Sequence, residues 1–234
     1  MPDLSFRIVG VEAAARGVTP LLHFKLRIEA ASPRAEIHGL LVNAQIQLQC
    51  PQRGYSTAEK ERLFELFGQP ESWGKTLRNR LWTHANATVG AFAGATEIIL
   101  PVPCTYDLNV ASTKYFYALE SGEVPLLFLF SGSIFYGGSG GGVQVERISW
   151  NKECVYRLPV SLWRELMQEH FPDSAWLSLR RDVFERLCAH KRRHGFVGWD
   201  ETVESLLPPE AAAGETEAYY ALHASATTAA EVPA

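Results

Sequence analysis

The 234-residue chain has no apolar run approaching the ~20 residues that a membrane-spanning helix needs; its longest, from Val124 to Phe130, is interrupted at its start by Pro125. No membrane insertion is expected. The N-terminus, MPDLSFRIVG, opens directly into strand-like alternation, without a basic segment, an apolar stretch and a small-residue cleavage site, so no cleaved secretion signal is expected. There is also no basic stripe. With 22 Lys and Arg against 26 Asp and Glu the net charge is -4, which leaves no electrostatic footprint for a phosphate backbone and excludes nucleic acid as the expected partner. Cysteine is sparse. Cys50, Cys104, Cys154 and Cys188 show neither the CxxC pairing of zinc ribbons nor the density of a disulfide scaffold, which predicts four free thiols and a reducing, cytoplasmic location.

What is present is the composition of an ordinary globular protein, 47% hydrophobic and 21% charged, so the body of the chain is expected to bury a core as one domain over residues 1–207. Leu4, Phe6 and Ile8, then Leu22, Phe24, Leu26 and Ile28, recur at period two against polar residues, the pattern of antiparallel strands with one wet face. From Ile37 to Cys50 the alternation continues, and the polar side (Asn43, Gln45, Gln47, Gln49) carries no charge, so that it is either solvated or set against a partner. The region from Trp82 to Leu100 reads as strand with a turn between Gly90 and Gly94, and the region from Cys104 to Val110 as a further strand with Tyr106 and Leu108 on one face. Residues 112–119 fit either a helical turn or a strand. The runs Val124–Tyr136, Val143–Trp150 and Asn151–Leu158 read as a three-stranded meander whose first connection is the glycine loop.

Helices are marked at four places. Ser56 and Glu59 form a capping box ahead of Leu63, Leu66 and Phe67. After Pro159, Leu162, Trp163, Leu166, Met167 and either His170 or Phe171 mark one side of a helix that Pro172 ends. A second runs from Asp182 to His194, with Val183, Phe184, Leu187 and Cys188 inward and Gly195 as its stop, and the region from Trp199 to Leu207 reads as a last short helix. Beyond Pro208 the Ala, Glu and Thr-rich sequence is predicted to form a flexible tail to residue 234. The fold class that results is α+β: an antiparallel sheet-rich body with a C-terminal pair of packed helices.

Gly137, Gly138, Ser139, Gly140 and Gly141 spell GxSxG, but the nucleophile elbow needs a helix after the serine, and Val143, Val145 and Ile148 continue as a strand. The loop lacks the Gly-Lys-Ser/Thr of a phosphate loop and the GxGxxG-to-helix context of a dinucleotide turn. His190 and His194, at i and i+4 near Cys188, have a metal-like spacing, yet Lys191, Arg192 and Arg193 lie between them and suit a helix C-terminus instead. A metal-carrier reading requires Cys104, Cys154, Cys188, His190 and His194 to converge. Asp107, Glu120, Glu123 and Glu153 are the carboxylates nearest the aromatic runs, and ordinary strand ends and turns account for them. No catalytic residue, metal ligand or cofactor is predicted. Aromatics crowd the middle third, and Tyr115, Phe116 and Tyr117 cannot all point inward on a regular element, which makes them the candidate partner surface.

The segments LFGQPESWGKTLRNRLWTH (residues 66–84), PVPCTYDLNVASTKYFYALESGEVPLLFLFSG (101–132) and YRLPVSLWRELMQEHFP (156–172) resemble a bacterial family of unknown function whose members accompany small accessory proteins in gene clusters for nickel–iron uptake hydrogenases. The likeness spans about residues 1 to 207. The order of a sheet, a proline-started helix and a second helix is also similar to the export chaperone SecB. The resemblance implies a non-catalytic accessory or protein-binding module that assists assembly or maturation of a hydrogenase-type redox complex, its partner another protein. An enzyme whose site is assembled from distant residues, or a SecB-like chaperone, is the alternative.

Overall fold

The computed structural model describes residues 2–14, 17–32, 35–138 and 142–208. By its packing the chain divides into two units, Met1–Ser178 and Leu179–Ala234; the boundary falls inside the span read from sequence as one domain. The tail read from residue 208 onward, apart from Pro208 itself, lies outside the described residues, as do residues 139–141 of the glycine loop. Antiparallel sheets dominate and helices close the sequence, an α+β fold.

In the first unit the alternating segments become two antiparallel sheets. The smaller has the order β1-β2-β6, with β1 at Leu4–Ala13, β2 at Leu21–Ala30 and β6 at Ala95–Pro103. The larger has the order β4-β3-β7-β8, from β3 (Glu36–Leu48), β4 (Arg80–Val89), β7 (Glu123–Gly137) and β8 (Val143–Arg147), with β5 (Phe92–Ala93) on β3 and β9 (Glu153–Pro159) on β7. Their apolar faces meet. Phe6 of β1 stacks on Phe130 of β7 at 4.7 Å, and Phe24 of β2 meets Phe128 edge-on at 5.2 Å. Leu22, Leu26, Ile28, Val42, Ala44, Ile46 and Leu48 complete the buried layer. Each large side chain removed from water contributes roughly 1.5–3 kcal/mol, so this interior is the main source of stability.

The expected meander is corrected. β8 and β9 do not pair in sequence order; both pair with β7, β8 along Ser133–Gly137 and β9 along Glu123–Leu129. The 15-residue length of β7 makes room for two partners in tandem on one edge. Gly132 stands between the two stretches with φ +136, where a Cβ would overlap the Leu41 carbonyl oxygen. The glycine loop joins strand to strand, not strand to helix, as expected. The expected strand at 104–110 is also corrected: β6 ends at Pro103, and the chain continues from there as a loop. Its polar backbone is satisfied elsewhere, through the Leu108 N–H, which donates to the Trp176 carbonyl at 2.7 Å.

Between β3 and β4 lie α1 (Thr57–Arg62), α2 (Phe64–Phe67) and α3 (Trp73–Thr76). The capping box at Ser56 and Glu59 is present in full. The open question at 112–119 resolves as α4, Ala111–Ala118, and the proline-started helix is α5, Val160–His170, with Val160, Trp163, Leu166 and Met167 buried.

The second unit, taken by itself, holds α6 (Arg181–His194) and α7 (Trp199–Glu204). Phe184 packs near Trp199 (5.5 Å between ring centres), and the Lys191 ammonium lies over the Trp199 ring at 5.5 Å. Gly195 ends α6 in the left-handed region at φ +71, as the sequence predicts.

Candidate functional site: an aromatic cleft

A helix turns by about 100° per residue, so two neighbouring side chains share a buried arc while the third swings away. On α4 this separates the candidate partner residues. Tyr115 and Phe116 are buried, at 0% and 1% exposure, and as core residues they are withdrawn from the candidate surface; Tyr117 stands out at 48%. Tyr55 donates to the Cys50 carbonyl (2.8 Å), and so the hydroxyl contact of 2.9 Å between Tyr55 and Tyr115 is donated by Tyr115. Phe116 stacks on Trp163 of α5 at 5.1 Å and 15°. These contacts fix the direction in which Tyr117 points.

Tyr117 opens onto a cleft of about 550 Å³, within the range of ligand-sized pockets. Trp163 and Met167, both buried, form an apolar floor, while Tyr106, Arg164, Gln168 and Asp173 are polar groups on its walls. Tyr106 stacks on Phe171 at 5.3 Å and 12°, and Phe171 meets the half-exposed Trp176 at 5.6 Å. A chain of aromatic contacts thus runs from Phe24 through Trp82, Phe116, Trp163, Tyr106 and Phe171 to Trp176 at the surface.

The far wall is held by backbone and amide bonds. Gln168 Nε2 donates to Asp173 Oδ1 (3.1 Å), the Ser178 N–H to Asn109 Oδ1 (2.5 Å), and the Asn109 N–H to Asp107 Oδ1 (2.9 Å). Asp173 adopts φ +47, a left-handed turn that Asp tolerates better than most residues. Burial raises the Tyr106 hydroxyl above its ordinary range; Tyr117 adds to this and Arg164 opposes it. Tyr106 is therefore protonated at neutral pH and offers a hydrogen-bond donor, not a base. Tyr106, Trp163 and Tyr117 provide apolar area with few rotors, and Arg164 supplies a planar cation, a set enriched where proteins bind proteins. A second depression, of about 670 Å³, is lined by Pro51, Trp73, Gly74, Leu77, Arg78 and Asn79.

Of the three candidate partner residues only Tyr117 lines the aromatic cleft, together with Tyr106, Trp163 and Met167, which the sequence marks as strand or helix positions and not as a site. Sequence reasoning passed over Arg164, Gln168 and Asp173, whose sole signal is their place on the polar side of a proline-started helix and in the turn after it. Glu120 pairs with Arg62 at 3.1 Å, Glu123 opens β7 and Glu153 opens β9. Asp107 serves the loop. Cys104 is buried in the first unit, and burial pushes its thiol up to about 12. His190 and His194 lie 4.3 Å apart between ring centres on α6, and His190 Nε2 is 3.1 Å from Ser205 Oγ. Among the described residues no group of three or more His, Cys, Asp or Glu is placed to hold a metal ion. No helix of the described residues is long and apolar enough to cross a membrane.

Fold and site together define a sheet-rich α+β protein with an aromatic cleft between two helices and a loop. The chain belongs to the family of unknown function DUF6084, whose model matches residues 1–215. No curated protein matches the sequence. Among solved structures it is similar to a β-glucosidase from Kluyveromyces marxianus (8% identity, 67% of this chain and 15% of that one, TM-score 0.22) and β-glucosidase 3B from Thermotoga neapolitana (12%, 67% and 17%, 0.24). It is also similar to a protein provisionally called ApaA from Bordetella pertussis (10%, 68% and 95%, 0.26). The chain spans less than a fifth of either glucosidase, and TM-scores this low support no assignment of fold or function.

Proposed function

We propose that this protein is a non-catalytic binding module that seats a segment of a partner protein in the aromatic cleft, and that the partner is a component of a hydrogenase-type redox complex under assembly or maturation. The observation that carries the first part is the exposed Tyr117 beside Tyr106 and Arg164 over the apolar floor of Trp163 and Met167. An aromatic or aliphatic side chain of the partner fits the floor, and a carboxylate or carbonyl of the same segment is met by Arg164 and the Tyr106 hydroxyl. The partner class rests on the resemblance of segments 66–84, 101–132 and 156–172 to proteins from uptake-hydrogenase gene clusters.

The test is co-purification of the tagged protein from its native host under reducing conditions, with mass spectrometry of the eluate, for the wild type and for Tyr117→Ala and Arg164→Glu. Hydrogenase subunits or their accessory factors are expected with the wild type and depleted from both variants. If identified hydrogenase components are absent, or come down equally with all three proteins, the proposal fails.

A second reading, an enzyme, has one observation in its favour: Tyr106, Tyr117, Arg164, Glu165 and Asp173 share the cleft. Turnover of a small substrate that Tyr106→Phe abolishes would establish it in place of the first.

A further inference from the structure

The strand registers align the outward side chains of the larger sheet in rows. One row runs Leu81, Gln47, Leu127, Val155 across β4, β3, β7 and β9; the next runs His84, Gln45, Leu129, Glu153; the third holds Asn86, Asn43 and Ser131. Leu81 and Val155, at the two edges of the first row, are 52% and 55% exposed. Glu153 is the single carboxylate in the three rows and no Lys or Arg is among them. A face whose centre is uncharged and whose apolar groups stand open has the composition of an interface core.

We infer that this face binds the same face of a second copy of the chain. The supporting observation is self-complementarity. A two-fold axis parallel to the strands and midway between β3 and β7 exchanges β4 with β9 and β3 with β7. Leu81 of one copy then meets Val155 of the other, Gln47 meets Leu127, Gln45 meets Leu129, and His84 meets the carboxylate of Glu153. Every contact occurs twice, as an isologous interface requires. No like charges oppose each other in these rows, although the chain as a whole carries a net charge of -4. Strands about 4.8 Å apart and a rise of about 3.4 Å per residue give a patch of roughly 20 by 20 Å. That is small beside the ~800 Å² per partner of a standard interface, so the dimer is a weak one.

Sedimentation velocity of the full chain, from low to several hundred micromolar, tests this. The wild type is expected to pass from monomer to dimer. Leu81→Lys and Val155→Glu are each expected to weaken the dimer at least about tenfold; the double variant brings lysine opposite glutamate at both ends of the row and is expected to regain the dimer. That recovery separates loss of the contact from misfolding, and circular dichroism of each single variant checks that it is folded. A wild type that stays monomeric throughout overturns the inference, as does a dimer indifferent to the single substitutions or one that the double variant does not regain.

Discussion

Burial alone would raise the Glu59 carboxyl, but Arg53 grips it with two bonds of 2.8 and 3.0 Å, and the backbone N–H groups of Glu120 and Ser56 donate to it, so that it is held down at about 2. The folded value lies below the unfolded reference of 4.5, so the contribution to stability is present above pH 4.5 and is lost as pH falls toward 2. The size of that shift corresponds to about 3 kcal/mol at neutral pH. Glu59→Gln is therefore expected to lower the unfolding free energy by about 3 kcal/mol or more at neutral pH, since it also leaves Arg53 buried without a counter-ion. Urea denaturation across the acid range checks the sign: the gap between wild type and variant should narrow below pH 4.5. At Cys50 and Cys104 burial pushes the thiols up to about 11 and about 12. Alkylation of the native protein at mildly alkaline pH is expected to spare both until the chain is unfolded, with peptide mapping as the readout.

Among the elements, β7 depends on one glycine. Any side chain at Gly132 meets the Leu41 carbonyl across the central pairing of β3 with β7, and the backbone there is left-handed in φ. Gly132→Ala is expected to cost more than about 3 kcal/mol, read as a large fall in Tm or in soluble yield, because the clash falls on backbone that cannot move without breaking the ladder. Much at this scale was legible in the sequence: β1, β2 and β3 from their alternation, the capping box at Ser56 and Glu59, the stop of α6 at Gly195. What was not legible is pairing. Trp82 to Leu100 reads as one strand region with a turn, yet β4 joins β3 in one sheet while β6 joins β2 in the other. Alternation reports which face of a strand is wet, and it carries no information about the neighbour across the ladder.

For the molecule as a whole, the candidate site is where sequence reading reached least. Tyr117 was within reach because three consecutive aromatics cannot share one buried arc. Arg164 and Asp173 were not, because the wall of the cleft is made by hydrogen bonds between residues 107–109 and 176–178, some seventy positions apart. The affinity consequence is specific: Tyr117→Ala, which removes an exposed ring and leaves the core untouched, is expected to weaken partner binding by about 2 kcal/mol, or roughly thirtyfold, with an unchanged Tm. If the cleft seats a hydrogenase component, site-specific photo-cross-linking from position 117 captures that component. A photoreactive phenylalanine analogue at position 117, with one at the fully exposed Val18 as the control, is introduced in the native host and the adducts are identified by mass spectrometry. An adduct to a hydrogenase subunit or maturation factor from position 117 and not from position 18 is the expected result; no adduct at 117, or the same adducts from both positions, would contradict it.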